Sequence, residues 1–476
     1  MITEEQIRQT VSKAEELLQD CWAKLSDMKN AENFFSFQPT LLTALYQIES
    51  AYRTICKEER ELISQKLSSN KNQFAERMKT LARYKSVLTQ VLDIGKALGD
   101  SFAWIFYGNE KELLKKHYDH EFIPHLALGI GGRGEYEFAK NAPRFGKYIV
   151  LAHSITTFLR LGDVSLIDPI DLKVVAIGEL KSQKKSDTKI SVNITFIGAK
   201  LPKEMLPKVS EVQGEPIKKI SEQLPPALLT RLKKQVKGMQ EAFKPPLQNH
   251  PPNKIEMHLV EMKLKELFDR SSLGKWGSIK VDRGLLLVGM RFEEMPLYLH
   301  LKGVPLETGG NFQQNMEKLK VATAEILDKS LSQNFILTSW ILYPANGRYF
   351  HPFGMMPLFF WPLDTAVRKA IIFRQMRVMT LYNPGFLIDE LNRNGFEVQF
   401  GKDRDLKIVK HIGEKRMEFS GMGYFIGAVR TQFLSDAGIV NLARMAVEKI
   451  EAENFKQPTN ISLDFDFLYN QIVDSV

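Results

Sequence analysis

Apolar residues recur at helical spacing through the first hundred positions of the chain. Between residues 7 and 28 they alternate in steps of four and three, which is the a/d spacing of a heptad repeat. Similar patterns at about 40–66 and 70–98 predict two further helices. Residues 1–100 are therefore predicted to form a helical domain. Three heptads are the lower limit for a coiled coil, so a bundle within the chain is favoured, and homo-oligomerisation through these helices is the alternative.

Strand-like sequence follows in the next part of the chain. Residues 147–158 are rich in aliphatic and aromatic side chains, which favours a β-strand. Residues 160–182 contain two short apolar runs joined by a Pro-Ile-Asp sequence, a pattern typical of a β-hairpin. The second run is apolar on both faces, as in a central strand that helices cover on each side. Another strand is predicted at 190–197.

The hairpin brings acidic and basic residues together. If its loop has three residues, Asp163 lies across from Ile177 and diagonal to Glu179. Because side chains alternate between the two faces of a strand, Asp163, Glu179 and Lys181 then share one face. A shift of one residue in the register would move Asp163 to the opposite face. The predicted site therefore depends on the length of the loop.

The rest of the chain divides into a connection and further mixed sequence. Prolines punctuate a polar segment at 200–226, which predicts an insertion. Strands are predicted at 284–292 and 334–343, so the sheet is expected to continue past the insertion, within a domain of residues 101–345. Residues 346–476 are predicted to form a C-terminal α+β region. The other predicted elements are helices at about 227–243, 254–269, 312–331, 364–380 and 438–452, and strands at 397–400 and 406–409.

Composition is that of a globular protein with a preference for acidic partners. The 476 residues are 44% hydrophobic and 25% charged, and the formal net charge is +9. Only two cysteines occur, Cys21 and Cys56, so no disulfide framework is expected and a cytoplasmic location is predicted. Polar residues or prolines interrupt the apolar segments before they reach the ~20 residues that span a bilayer, so no membrane association is predicted.

The order of these elements is similar to that of a known enzyme family. A helix with Glu135, a strand, a strand with Asp163 and a strand ending in Glu179-Leu-Lys181 resemble the core of the PD-(D/E)xK nuclease superfamily over about residues 120–185. The resemblance implies an α/β fold with a restriction-endonuclease-like mixed sheet flanked by helices. It also implies that Asp163 and Glu179 bind a divalent metal, that Lys181 orients the attacking water or stabilises the developing charge, and that Glu135 joins the site.

The chemistry is consistent with this resemblance. Phosphodiester hydrolysis needs an activated water and a cation that faces the phosphate oxygens, and carboxylate-bound Mg²⁺ or Mn²⁺ supplies both. Oxygen ligands suit these ions, and the sequence has no Cys/His cluster typical of a zinc site. One departure from the motif is Gly162, which stands where proline precedes the aspartate in the name of the family. A structural ion pair of Glu179 with a neighbouring base is the alternative interpretation.

Basic residues outside the hairpin are candidates for contact with a nucleic-acid backbone. They lie after the second hairpin strand, in the basic helix predicted at 227–243 and in the helix predicted at 364–380. A solvated helix face is the alternative for each group. The candidates are Lys184, Lys185, Arg231, Lys234, Gln235, Arg374 and Arg377.

Three functions are compatible with the sequence. The first is a metal-dependent nuclease, an endonuclease acting on DNA, whose added helical regions resemble those of effectors of prokaryotic antiviral defence. The second is a subunit of a larger complex that has a nuclease fold and binds nucleic acid without cutting it. The third is a nucleotide-responsive regulator that uses the glycine run from Gly129 to Gly134. This run matches the pattern G-x-G-x-x-G, but no acidic residue closes a following strand about twenty positions later.

Overall fold

Three long helices form the N-terminal part of the chain. In the computed structural model α1 spans Glu4–Ser26, α2 spans Ala31–Ser64 and α3 spans Lys71–Tyr107, and the three pack against one another. The apolar heptad positions of α1 are buried, as the spacing predicts. The structure describes residues 1–65, 70–108, 110–118, 125–126, 129–141, 144–145, 148–184, 190–197, 259–271, 273–274, 276–292, 297–302, 337–340, 357–360, 363–400, 406–413, 415–419 and 435–452.

Helix α3 extends well past its predicted end. Its second half, from Gln90 to Tyr107, is buried along its whole length. The predicted boundary at residue 100 therefore falls inside a buried stretch of continuous helix. Two shorter helices follow, α4 at Lys111–Tyr118 and α5 at Ile130–Asn141.

The hairpin lies in a five-stranded sheet. Its strands occur in sequence order, β1-β2-β3-β4-β5, and their bounds are Arg144–Phe145, Tyr148–Ala152, Val164–Ile167, Val174–Lys184 and Ile190–Ile197. Each of the four pairings is antiparallel, so the mixed sheet expected from the resemblance is not found among these strands. The strand predicted at 147–158 ends at Ala152, because residues 153–155 turn as a short 3-10 helix.

Helices cover both faces of this sheet. Phe138 of α5 packs with Val150, Leu166 and Ala176 on one face, while Leu151 on the other face joins the core formed with α1–α3. Strand β4 lies between β3 and β5 and is covered by α5 on one face, whereas Glu179 and Lys181 are exposed on the other, so the predicted cover by helices on each side is found for β2 rather than β4. The fold is a mixed α/β arrangement of helices with antiparallel sheets.

A glutamine from α2 extends the sheet where β1 ends. Gln38 is buried, and its Nε2 donates a hydrogen bond of 2.8 Å to the carbonyl of Val150. Its Oε1 accepts a hydrogen bond of 2.6 Å from the amide of Ala152. One side-chain amide thus satisfies the donor and the acceptor that a neighbouring strand would otherwise satisfy.

Strands from the second half of the chain form separate sheets, so the prediction that the first sheet continues past the insertion is wrong. One sheet has the order β6-β7-β9-β8 and the other the order β10-β11-β12, and all pairings are antiparallel. The strands are β6 Trp276–Lys280, β7 Leu285–Arg291, β8 Leu337–Trp340, β9 Met376–Tyr382, β10 Glu397–Phe400, β11 Leu406–Ile412 and β12 Lys415–Phe419.

Strand β9 joins β7 and β8 across the predicted boundary at residue 346. It also corrects the helix predicted at 364–380, which ends after two turns at Ile372 and gives way to this strand. The helices of this part are α6 Leu259–Arg270, α7 Leu297–Leu301, α8 Thr365–Ile372, α9 Gly385–Arg393 and α10 Asp436–Ala452.

One apolar cluster connects the parts of the chain that the sequence analysis separates. It includes Ile7 of α1, Leu151 of β2, Tyr382 of β9 and Val447 of α10. The predicted insertion at 200–226 and the helices predicted at 227–243 and 312–331 lie outside the described residues. None of the helices described by the structure combines the length and the apolar character needed to cross a bilayer.

Candidate functional site

Asp163 and Glu179 lie at the same end of the β3–β4 pair, close enough for the charge of Glu179 to act on the Asp163 carboxyl. The structure pairs Val164 with Gly178 and Ser165 with Ile177, so Asp163 precedes and Glu179 follows the last pair of the ladder. The predicted register, with Asp163 across from Ile177, is therefore wrong by two residues. A displacement of two residues keeps the same side chains of β3 and β4 on one face of the sheet. Asp163 itself precedes β3, and the charges of Glu179 and Lys181 both act on its carboxyl, so the three side chains lie close together.

Two local features account for the displacement. Asp168 donates its amide hydrogen to the carbonyl of Lys173, so the loop contains four residues rather than three. Within this loop Leu172 adopts a left-handed conformation, with φ of +53°. The second feature is a register shift in β4 between the partners of Leu166 and Ile167, which adds one more residue to that strand.

The backbone and side chain of Asp163 are both held in place. Its amide donates to the carbonyl of Gly178 at 2.8 Å, and its carbonyl accepts from the amide of His153 at 2.8 Å. Its Oδ2 accepts a hydrogen bond of 2.6 Å from the amide of Leu180. Burial raises the pKa of the Asp163 carboxyl, and the Leu180 amide opposes that rise while the charge of Glu179 adds to it. One carboxylate oxygen is thus anchored to β4.

Glu179 and Lys181 form an ion pair on the open face of β4. Lys181 Nζ lies 2.7 Å from Glu179 Oε1, and the two side chains are 71% and 43% exposed. This hydrogen bond raises the pKa of Lys181, so its side chain is a cation at neutral pH. The structure therefore brings together three of the predicted site residues, Asp163, Glu179 and Lys181.

Glu135 lies on α5, close enough for its charge and that of Asp163 to interact. Burial raises the pKa of the Glu135 carboxyl to about 7; the Asp163 charge acts in the same direction and that of Lys96 opposes it. Lys96 is itself buried in α3, and this burial lowers its pKa to about 8. Its ammonium group donates to the carbonyls of Ser154 and Thr156. The region behind Asp163 therefore contains a carboxyl and an amine that both titrate near neutrality.

Helix α3 fixes the connector between β2 and β3, which the sequence analysis did not connect with the site. Asp100 accepts hydrogen bonds of 2.6 Å and 2.7 Å from the amide and hydroxyl of Thr157. Gly99 lies so close to the carbonyl of Ile155 that an added Cβ would be 1.9 Å from that oxygen. The available signal was Lys96 and Asp100, two charged residues in an otherwise apolar helical stretch.

Two of the predicted nucleic-acid contacts are corrected by their burial. Arg374 and Arg377 are each only 9% exposed, and neither lies on an exposed helix face. Arg374 donates to Gln90 and Asp93 of α3, and Arg377 also donates to Gln90. Because these guanidinium groups are buried and hydrogen-bonded to α3, they do not form a surface that a phosphate backbone could contact. The side chains of Lys184, Lys185, Arg231, Lys234 and Gln235 lie outside the described residues.

The glycine run is the first turn of α5 rather than a loop between a strand and a helix. A Cβ on Gly131 would meet no atom within 4 Å, whereas a Cβ on Gly134 would lie 1.9 Å from Ser182 Oγ of β4. Gly134 therefore allows α5 to pack closely on the sheet. This packing, rather than a phosphate contact, explains that glycine, and it places α5 with Glu135 beside the end of β4.

The paired carboxylates are suitable ligands for Mg²⁺ or Mn²⁺. Within the described part of the chain no group of three or more His, Cys, Asp or Glu side chains could hold a metal ion. Mg²⁺ commonly takes one or two carboxylates and completes its shell with water and phosphate oxygens, so Asp163 and Glu179 meet that requirement. Comparisons of the chain with models of protein families, with curated proteins and with solved structures found no match. The functional proposal therefore depends on the chemistry of these residues.

Proposed function

We propose that this chain is a divalent-metal-dependent nuclease that hydrolyses phosphodiester bonds, specifically an endonuclease acting on DNA. The grouping of Asp163, Glu179 and Lys181 at one end of the β3–β4 pair carries the proposal. The grouping agrees with the resemblance of this segment to the PD-(D/E)xK superfamily. A restriction-endonuclease-like core, with the antiparallel hairpin as its centre, is part of the same proposal.

The residues divide the chemistry among themselves. Asp163 and Glu179 supply hard oxygen ligands from adjacent strands, and Asp163 is preorganised because the Leu180 amide fixes one of its oxygens. When bound, Mg²⁺ or Mn²⁺ lowers the pKa of a water molecule and stabilises charge on the phosphate. Lys181 is a cation and therefore acts as a hydrogen-bond donor that orients the water or contacts the phosphate, not as a base. Glu135, whose pKa burial raises to about 7, is the candidate among the predicted site residues for accepting a proton at neutral pH.

The wider context of the proposal follows from charge and organisation. The net charge of +9 favours a polyanionic substrate. A nuclease site joined to long helices resembles the organisation of effectors of prokaryotic antiviral defence, which act in the cytoplasm. Any homo-oligomer or partner contact of these helices would use their exposed faces, because the heptad positions of α1 are buried within the chain.

The test compares cleavage of supercoiled plasmid DNA with Mg²⁺, Mn²⁺ or EDTA. We expect Asp163→Asn and Glu179→Gln to lower the cleavage rate by more than about 100-fold, because each removes a ligand of the cation that stabilises the transition state. Lys181→Met should lower it by a similar factor. Lys173→Met is the matched control, since Lys173 is an exposed lysine of the same hairpin outside the site.

Two results would contradict the proposal. Undiminished cleavage by all three site variants would exclude this site. Salt-dependent binding of DNA without cleavage under any metal condition would instead support a non-cleaving nucleic-acid-binding subunit. The Lys181–Glu179 ion pair is the observation that favours this second function, because it already satisfies the charge of Glu179 without a metal ion.

A further inference from the structure

The segment immediately before Asp163 is bound by a buried histidine of α4. His117 Nδ1 accepts hydrogen bonds of 3.0 Å from the amides of both Arg160 and Leu161. An acceptor nitrogen carries no proton, so the His117 ring is in the Nε2–H form. Two consecutive amides of the chain leading into the site are thus fixed by one ring nitrogen.

A second buried histidine binds the same segment from the other side. His153 Nδ1 lies 3.0 Å from the carbonyl of Gly162, and His153 Nε2 lies 2.6 Å from Ser165 Oγ. Ser165 Oγ in turn lies 2.5 Å from the hydroxyl of Tyr107 in α3. The two imidazole rings of His117 and His153 also contact each other edge to face, with centroids 5.3 Å apart.

The donor and acceptor of each hydrogen bond in this series follow from the chemistry of the groups. A carbonyl oxygen only accepts, so His153 Nδ1 carries the proton and donates to Gly162. His153 Nε2 must then accept from the Ser165 hydroxyl, and the Ser165 oxygen accepts from Tyr107. Burial lowers the pKa of His153 to about 3, which agrees with a neutral ring. In the hydrogen-bond series Tyr107–Ser165–His153–Gly162, each group is therefore defined as a donor, an acceptor or both.

The peptide that these rings bind contains a glycine whose conformation and surroundings exclude a Cβ. Gly162 has φ of +73°, and a Cβ at this position would lie 2.6 Å from Ile177 Cγ2 and 2.9 Å from the carbonyl oxygen of Gly178. The left-handed bend therefore touches β4 directly. Any movement of Gly162 would be transmitted to Asp163, the next residue along the chain.

We propose that His153 and His117 are positioning residues for the metal site, since together they hold the peptide bonds that orient Asp163 towards Glu179. This inference depends on the proposed function of Asp163 and Glu179. Both rings are buried, so neither contacts substrate. Groups that orient metal ligands typically change metal affinity or activity by about 10–100-fold when they are removed.

The test uses two substitutions that differ in which ring nitrogen they imitate. The amide of His153→Asn takes the place of Nδ1 and retains a donor for Gly162. The longer His153→Gln takes the place of Nε2, contacts Ser165 and loses that donor. For His117, the Asn variant likewise keeps an acceptor for the two amides and the Gln variant loses it. His411→Gln is the matched control, because His411 is an exposed histidine of β11.

The measurements are Mn²⁺ binding to the full chain, by electron paramagnetic resonance of free Mn²⁺, and plasmid cleavage over a range of Mn²⁺ concentrations. We expect both Gln variants to weaken Mn²⁺ binding by at least about 10-fold. The Mn²⁺ concentration that gives half-maximal cleavage should rise by the same factor. Both Asn variants should recover most of the affinity. A purely structural role would instead lower the melting temperature of Asn and Gln variants alike and leave Mn²⁺ binding by the folded protein as in the wild type.

The outcomes separate this inference from the proposed function. A wild-type chain that neither binds Mn²⁺ nor cuts DNA would overturn the proposed function. If the wild-type chain does both, and the His153→Gln and His117→Gln variants bind Mn²⁺ as tightly as the wild type, only the positioning role would be overturned. Ser165→Ala serves if the histidine variants do not fold, since it removes only the hydroxyl between Tyr107 and His153; unchanged Mn²⁺ affinity in that variant would also overturn the role.

Discussion

Arg374 Nη2 donates a hydrogen bond of 2.7 Å to Asp93 Oδ2, and this buried ion pair joins the segment before β9 to the middle of α3. Arg374 has φ of +59°, a conformation that costs a residue with a Cβ about 1–2 kcal/mol. Burial raises the pKa of Asp93 to about 6, and the charge of Arg374 opposes that rise. The pair therefore connects the second sheet with the same helix that supports the candidate site.

Removing one member of this pair should destabilise the protein more than removing both. Arg374→Met leaves the Asp93 carboxyl buried without its partner, and we expect a loss of about 3–5 kcal/mol in the free energy of unfolding. Replacement of both residues, with Asp93→Leu added, should recover part of that loss because no unpaired charge remains. Urea denaturation measures both values.

The control for this pair is Asp269→Ala, which breaks an exposed ion pair with Lys265 on α6 and should change stability little. If Arg374→Met were as stable as the wild type, the buried pair would not be what holds β9 against α3.

Gln38 should be required because of its two backbone partners. Gln38→Leu retains the volume but leaves the Val150 carbonyl and the Ala152 amide without a partner, at a cost of roughly 1–3 kcal/mol for each group. Thermal and urea unfolding measure the loss. Gln47→Leu on the partly exposed side of α2 is the control. Equal stability of the two variants would contradict the bridging role of Gln38.

Two glycines three positions apart on α5 should respond in opposite directions. Gly131→Ala introduces a methyl group into open space and should stabilise the helix by about 0.5–1 kcal/mol. Gly134→Ala directs the methyl group against Ser182 and should destabilise the protein by about 1–3 kcal/mol. Differential scanning calorimetry of the two variants tests this. A loss of stability in both would show that the glycine run has a role other than the packing of α5.

Asp436 should make the stability depend on pH. Tyr382 donates a hydrogen bond of 2.6 Å to Asp436 Oδ1, and burial raises the pKa of Asp436 from 3.8 to about 7. The folded state thus binds a proton that the unfolded chain releases at lower pH, so this contribution to stability is complete below pH 3.8 and is lost as the pH rises through about 7.

Asp436→Asn keeps a neutral acceptor for Tyr382 at every pH. Between about pH 5 and pH 8 the melting temperature of the wild type should therefore fall relative to that of this variant. Asp389→Asn, at an exposed carboxylate of α9, is the control. Parallel curves for the wild type and Asp436→Asn would show that Asp436 does not change its protonation over this interval.

The spacing of apolar residues was sufficient to predict the helices and strands that bury one regular face. The heptad spacing from Ile7 predicted α1, and the alternation at 190–197 predicted β5 with the bounds that the structure has. The register of the hairpin was wrong by two residues, but Asp163, Glu179 and Lys181 still lie close enough for their charges to interact.

Features that depend on tertiary contacts could not be predicted. Arg374 and Arg377 follow apolar residues at helical spacing, but residues 376–382 pair with β7 and β8 as a strand. Over so short a run, the periodicity of apolar residues does not distinguish a helix from a strand. The division into separate sheets depends on contacts between strands far apart in sequence. The roles of His117 and His153 arise from hydrogen bonds to backbone atoms, which leave no pattern in the sequence.

Gly162 occupies the position at which the proposed resemblance to the PD-(D/E)xK superfamily would place a proline. Proline requires φ near −65°, whereas this position has φ of +73° and no room for a Cβ beside Ile177. Proline therefore cannot replace glycine at position 162 in this backbone conformation. A sequence search that requires proline before the first acidic residue would reject this hairpin, although it brings the charges of Asp163, Glu179 and Lys181 close together.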